Sequence, residues 1–186
     1  VNFELQAKAS ALIPAARIFI HDIETRSVDG KPIDLENAGK LFEDAFAAIW
    51  TAKAESDGFN RLILALPCSW REAALIRALA RYRQQTGLDP SQLIQEQALA
   101  ANPRIADLIL ALFKARFDPN LQVSDETRQS RSSKLEFMIE SALSEVVSLD
   151  DDRALRRIAQ LVTAIRRTNY YQPGADGQPK AYISFK

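Results

Sequence analysis

The side chains best suited to chemistry are few: the sequence has one histidine, His21, and one cysteine, Cys68. His21 stands beside Asp22, a pairing that invites a general-base reading. In an extended segment, however, neighbouring side chains point to opposite faces, so the two are poorly placed to act together. Cys68 lies between Pro67 and Ser69, just before an expected helix. A nucleophilic thiol needs a base beside it and a depressed pKa, and the surroundings read instead as those of a buried structural thiol. One cysteine and one histidine cannot supply the roughly four ligands of a tetrahedral zinc site. A lone cysteine also forms no internal disulfide, which points to a reducing compartment, the cytoplasm.

Charged clusters offer two further possibilities. Asp150-Asp151-Asp152 could hold a metal, but three acids at a helix start complement the helix dipole and need no ion. Arg153, Arg156, Arg157, Arg166 and Arg167 follow on the same expected helix and could bind phosphate. Acids stand beside them, and a solvated or ion-paired face accounts for the pattern. The six glycines, at 30, 39, 58, 87, 174 and 177, build neither a G-x-G-x-x-G dinucleotide turn nor a phosphate-cradling loop. The residue reading therefore assigns no catalytic, cofactor-binding or metal-binding residue.

The elements that carry these residues are mostly helical. The chain has 186 residues, 47% apolar, with 24 basic and 24 acidic side chains. Zero net charge gives no electrostatic case for nucleic acid or an anionic membrane, and no apolar run nears the roughly 20 residues of a membrane helix. Residues 1–15 are weakly patterned, with Pro14 ending any helix begun at Phe3-Glu4-Leu5. Residues 17–26 are β-branched and read as a strand. From the Asp34 cap, Leu35, Ala38, Leu41, Phe42, Ala45, Phe46 and Ile49 recur at helical spacing up to Trp50. The aromatic stripe Phe42, Phe46, Trp50 reads as core. Glu55-Ser56-Asp57-Gly58 breaks that helix, and the apolar run from Phe59 to Leu66 reads as a short one.

Ser69-Trp70-Arg71-Glu72 matches a capping box. The helix it opens carries Leu75, Ile76, Leu79 and Tyr82 and closes at Gly87. Asp89-Pro90 and Asn102-Pro103 each read as a cap followed by a first-turn proline. The second of these helices carries Ile105, Leu108, Ile109, Leu112, Phe113 and Phe117. Residues 120–133 read as a long loop or a solvated helix start, leading to Leu135, Met138, Ile139, Ala142, Leu143, Val146 and Val147. A last helix from about Asp151 to Thr168 buries Leu155, Ile158, Leu161, Val162 and Ile165. A turn cluster over 173–179 precedes an alternating run, 181–186, that reads as a strand. The fold class is mainly α: an irregular bundle of about seven helices with short β segments near the two ends. Both ends read as cuts inside a longer chain.

Several long words raise this above a generic helical domain. They are Ala54-Glu55-Ser56-Asp57-Gly58-Phe59-Asn60-Arg61-Leu62, Ser69-Trp70-Arg71-Glu72, Arg77-Ala78-Leu79-Ala80-Arg81-Tyr82 and Leu112-Phe113-Lys114-Ala115-Arg116-Phe117-Asp118-Pro119. Further on stand Ser148-Leu149-Asp150-Asp151-Asp152-Arg153-Ala154-Leu155-Arg156-Arg157 and Ile165-Arg166-Arg167-Thr168-Asn169-Tyr170-Tyr171-Gln172, then Asp176-Gly177-Gln178-Pro179 through Lys186. In this order, over roughly residues 18–186, they resemble the large NAD-specific glutamate dehydrogenases of bacteria.

The resemblance implies a helical region preceded by ACT-like modules and followed by the catalytic domain. The implied organisation is an N-terminal flank over 1–29 that ends an ACT-like region, a helical domain over 30–170, and a turn and strand over 171–186 leading into the catalytic domain. The family's catalytic lysines and glycine-rich NAD motifs would lie beyond Lys186, so no catalytic role passes to a residue here. The implied function is a non-catalytic structural and regulatory segment of an NAD-dependent enzyme that deaminates glutamate. Its implied partners are the catalytic and ACT-like domains of the same chain, within a homo-oligomer and with neither nucleic acid nor membrane. The alternative is an independent helical module that binds an effector or a protein.

Overall fold

The computed structural model describes residues 3–13, 18–27, 35–85, 87 and 91–186. Two strands, β1 (Phe3–Ile13) and β2 (Ile18–Ser27), pair antiparallel, with a register shift between Ala7 and Ala9. The helix considered for Phe3-Glu4-Leu5 is thus replaced by a strand. Its pairing partner lies some twenty positions away, and so distant a partner leaves no local pattern. Pro14, the Asp34 cap and Asp89-Pro90 lie outside the described residues.

Seven α-helices follow among the described residues: α1 (Leu35–Trp50), α2 (Arg61–Ala65), α3 (Trp70–Gln84), α4 (Gln92–Ala101), α5 (Pro103–Phe117), α6 (Asp125–Leu143) and α7 (Leu149–Ala164). A 3-10 turn, Gly58–Asn60, leads into α2. The protein is mainly helical. The strand expected over 17–26 forms as β2, but the short β segment expected at the C-terminal end does not form. The N-terminal strands run to 11 and 10 residues, while the alternating run 181–186 makes only an isolated bridge, Thr168 to Phe185. Alternation alone makes no strand unless a partner lies alongside.

Helix ends follow local chemistry. The Ser69 hydroxyl accepts from the Glu72 backbone N–H at 3.2 Å, and the Glu72 carboxylate accepts from the Ser69 N–H at 2.7 Å. This is the expected reciprocal box, which satisfies donors the helix itself cannot. Gly87, at φ +69°, donates to the Gln84 carbonyl just past the end of α3. Pro103 occupies the first turn of α5. Asn102 is used differently from expectation: its side-chain amide donates to the Ala98 carbonyl at 2.8 Å and so closes α4 rather than opening α5. Ser124 caps α6, so the polar stretch from Asp125 onward is a solvated helix start.

Helix α1 ends before the expected break. Ala52, at φ +56°, takes the left-handed position usually held by glycine. The Ala52 N–H donates to Ile49 and the Lys53 N–H to Ala48, the two bonds of a Schellman stop. Helix α7 stops at Ala164, short of the expected Thr168, because Ile165 turns extended at ψ 131°. Arg166 and Arg167 therefore lie beyond the helix.

The core is built on α5, whose Ile105, Leu108, Ile109, Leu112 and Phe113 are all buried. Ile139 and Leu143 of α6 and Leu155, Ile158 and Val162 of α7 pack against it, and Leu75, Ile76 and Leu79 of α3, which packs on α7, complete the same core. Each such side chain contributes roughly 1.5–3 kcal/mol when fully buried. Helix α1 departs from expectation. It buries Ala38, Ala45 and Ala48, while Phe46 is 43% and Trp50 80% exposed. Small residues let the helix approach its neighbours closely; Phe46 stacks on Trp50 with centroids 5.9 Å apart, and half-buried Phe42 is tilted against Phe46 at 6.4 Å.

Candidate functional site

His21 stands on β2 opposite Ser10 in register, and its side chain and that of Asp22 lie outside what is described. Cys68 is buried, with its thiol 3.4 Å from the Leu62 carbonyl. Burial first, and then the Glu72 charge, push that thiol up to about 12, so the thiolate is strongly disfavoured. Asp150, Asp151 and Asp152 form the first turn of α7. The Ser148 hydroxyl caps Asp151, and Asp152 pairs with Arg156, which reaches Glu140 on α6 at 2.5 Å. Among the described residues no three His, Cys, Asp or Glu side chains are grouped to hold a metal.

Two polar assemblies do form, and composition gave no hint of either. In the first, Arg77 of α3 is 4% exposed. Its guanidinium donates to both Asp57 oxygens at 2.6 and 2.7 Å, to Asn60 Oδ1 at 2.8 Å and to the Glu55 carbonyl at 3.3 Å. One turn on, Arg81 forks onto the Glu55 carboxylate at 2.5 Å through both terminal nitrogens. That hydrogen bond, with desolvation opposing it, holds Glu55 below the ordinary carboxylate range. The words Glu55–Asn60 and Arg77–Arg81 are thus the two halves of one network.

The second assembly docks the segment after α7. That segment leaves Ile165, turns at 173–179 and returns. The Arg166 and Arg167 amides donate to the Lys186 carbonyl, and the Lys186 amide donates back to Arg167. Asn169, 7% exposed, clamps the loop from within. Its Nδ2 donates to the Tyr182 carbonyl at 3.0 Å and its Oδ1 accepts from the Ser184 amide at 2.7 Å. At the tip, Gly177 sits at φ +74°, and Gly174 donates to the Gln178 carbonyl.

The loop packs on Phe113, the buried centre of α5. The Tyr170, Tyr171 and Phe185 rings lie 5.5, 6.3 and 6.5 Å from it, two of them edge-on, a favoured aromatic geometry. Burial drives both tyrosine hydroxyls well above their ordinary range. Arg71 of α3 donates to the Tyr170 and Lys180 carbonyls, each at 3.2 Å, and lies 5.0 Å from the Tyr170 ring centre. Next to it, Glu72 is ion-paired with Lys114 of α5. Burial pushes Glu72 upward, but donation from Lys114 and Ser69 outweighs it and holds the carboxyl below its usual range. Arg116 donates to the Thr163 and Ile165 carbonyls at the end of α7. Arg128 does the same for α5 through Ala115 and Asp118.

These features define a helical bundle in which α5 holds a returning loop. Residues 54–119 match a glutamate dehydrogenase helical motif, the third of its series, and residues 138–186 match the catalytic domain of bacterial NAD-glutamate dehydrogenase. The second match starts within α6, earlier than the boundary beyond Lys186 that the resemblance implies. The NAD-specific glutamate dehydrogenase of Pseudomonas aeruginosa is 40% identical over 168 residues, 90% of this chain and 10% of that protein. The enzyme of the same name from Halomonas elongata is 37% identical over 92% of this chain and 10% of its own length. That from Mycobacterium tuberculosis is 35% identical over 70% and 8%. The chain belongs to the bacterial NAD-specific glutamate dehydrogenase family, and it spans about a tenth of the length of the curated relatives it matches.

Proposed function

We propose that this chain is the structural junction of an NAD-dependent glutamate dehydrogenase, the place where a helical motif grips the start of the catalytic region. The observation that carries the reading is the docking of Tyr170, Tyr171 and Phe185 on Phe113. Phe113 lies in the stretch matched to the helical motif, and the three rings lie in the stretch matched to the catalytic domain. The parent reaction is oxidative deamination of L-glutamate to 2-oxoglutarate and ammonia, with NAD as hydride acceptor. The described side chains supply rigidity and orientation to it. The partners are the catalytic and ACT-like regions of the same polypeptide, in a cytoplasmic homo-oligomer, with a regulatory role through the orientation of the catalytic region. No described helix is long and apolar enough to cross a bilayer.

The test is Ile158→Ala in the full-length enzyme. Ile158 is fully buried on α7, so the substitution leaves a cavity costing roughly 2–5 kcal/mol. Turnover or assembly should fall although no group that touches substrate is altered, and thermal melting separates a loosened junction from an unfolded one. Wild-type melting together with wild-type turnover would remove the junction reading.

A second reading, an effector-binding module, is favoured by an open groove of about 460 Å³ between α6 and α7, lined by Leu112, Glu136, Phe137, Ile139, Glu140 and Gln160 among others. Calorimetric titration of the chain with amino-acid effectors would distinguish it.

A further inference from the structure

We propose that Arg71 is a positioning residue for the parent enzyme's reaction, fixing the register in which the loop after α7 leads into the rest of the catalytic region. The inference rests on the junction reading above. Aromatic packing on Phe113 favours edge-on rings but gives the loop backbone no hydrogen-bonding partner on the bundle. A planar guanidinium is directional: its donors form a fixed fork. Arg71 places one arm on the Tyr170 carbonyl and the other on the Lys180 carbonyl. Those acceptors lie on opposite limbs of the loop, before and after the 173–179 turn. One side chain thereby locks the two limbs to each other and to α3.

The base of that lock is itself held. Arg71 lies between the Ser69 cap and Glu72, and Glu72 is tied across to Lys114 on α5. The guanidinium is therefore referenced to two core helices rather than to a free helix end. Its position over the Tyr170 ring, at 5.0 Å, adds a cation–π contact to the same limb of the loop. Asn169 closes the loop internally but does not anchor it to the bundle. Arg71 does.

The experiment compares Arg71→Ala, Arg71→Lys and Ile158→Ala in the full-length enzyme, reading kcat, the KM for glutamate and for NAD, and amide hydrogen exchange. Losing two charge-assisted hydrogen bonds should lower the kcat of Arg71→Ala roughly tenfold or more, with both KM values held within about twofold. The Ser184 and Lys186 amides should exchange faster while the α3 amides keep their protection. Arg71→Lys, which keeps the charge but loses the fork, should stay impaired. Millimolar guanidinium should partly restore the alanine variant. The inference is overturned by wild-type kcat in Arg71→Ala, by full recovery in Arg71→Lys, or by exchange that rises across α3 and α5 alike. If Ile158→Ala impairs turnover and Arg71→Ala does not, the junction stands and this role for Arg71 falls. If neither does, both fall.

Discussion

Asp57 allows the cost of a buried charge to be divided into parts. Its carboxylate faces Arg77, whose side chain is 5% exposed, and is itself 12% exposed. One of its oxygens also accepts from the Phe59 amide at 3.1 Å, capping the 3-10 turn before α2. Asp57→Ala removes both roles. Loss of the cap costs about 1 kcal/mol, and stranding a buried guanidinium costs roughly 3–5 kcal/mol. Asn60 and the Glu55 carbonyl remain as acceptors for Arg77, which places the total nearer the lower end, about 4 kcal/mol. Asp57→Asn keeps an acceptor for the Phe59 amide and removes only the charge, so it should cost less than the alanine by about the cap contribution. Arg77→Met combined with Asp57→Ala should cost less than the two singles added, because no ion is then left unpaired. Urea denaturation of the four proteins measures this, and at this chain length about 4 kcal/mol corresponds to roughly 8–16 °C of melting temperature. A loss below about 1 kcal/mol for Asp57→Ala, or strict additivity in the cycle, would refute the claim that this pair is structurally coupled and desolvated.

Two further outcomes are expected. Ala52→Gly should raise stability by about 0.5–1 kcal/mol, because a left-handed non-glycine residue costs roughly 1–2 kcal/mol and part of that relief is lost to unfolded-state freedom; a lower melting temperature would contradict the Schellman stop. Glu72, held below its usual value, stabilises the folded state above its unfolded pKa and loses that contribution as pH falls through the folded one. The stability gap between wild type and Glu72→Gln, followed by urea midpoints from about pH 6 to pH 3, should therefore close with acid, and a constant gap would exclude the Lys114 and Ser69 contacts as its source.

Much of the helical layout was legible because it is decided within a few residues. Ser69 with Glu72, Pro103 and Gly87 mark ends by local features that a sequence displays directly. What escaped depends on distant partners. Periodicity identified α1 but could not say that Ala38, Ala45 and Ala48 would be its packing side rather than Phe46 and Trp50. Apolar spacing does not record which neighbour comes close. The stretch over Phe3–Ile13 takes its form from β2. The Arg77 network and the Arg71 fork join words about 20 and about 100 positions apart, and nothing in either word alone names its partner. The resemblance found both halves of each pair without revealing that they touch.

The bridge between Thr168 and Phe185, with the Arg167–Lys186 bonds beside it, makes the intervening stretch a detour that comes back to its starting point. A path of that kind separates length from direction. Residues could be added or removed at the exposed tip around Ala175 and Asp176 without moving Lys186, because the closing bonds lie at the neck. The tip is therefore a natural place to graft a tag or a fluorophore. An insertion of equal size at the neck, between Ile165 and Thr168, would swing the outgoing chain to a new heading.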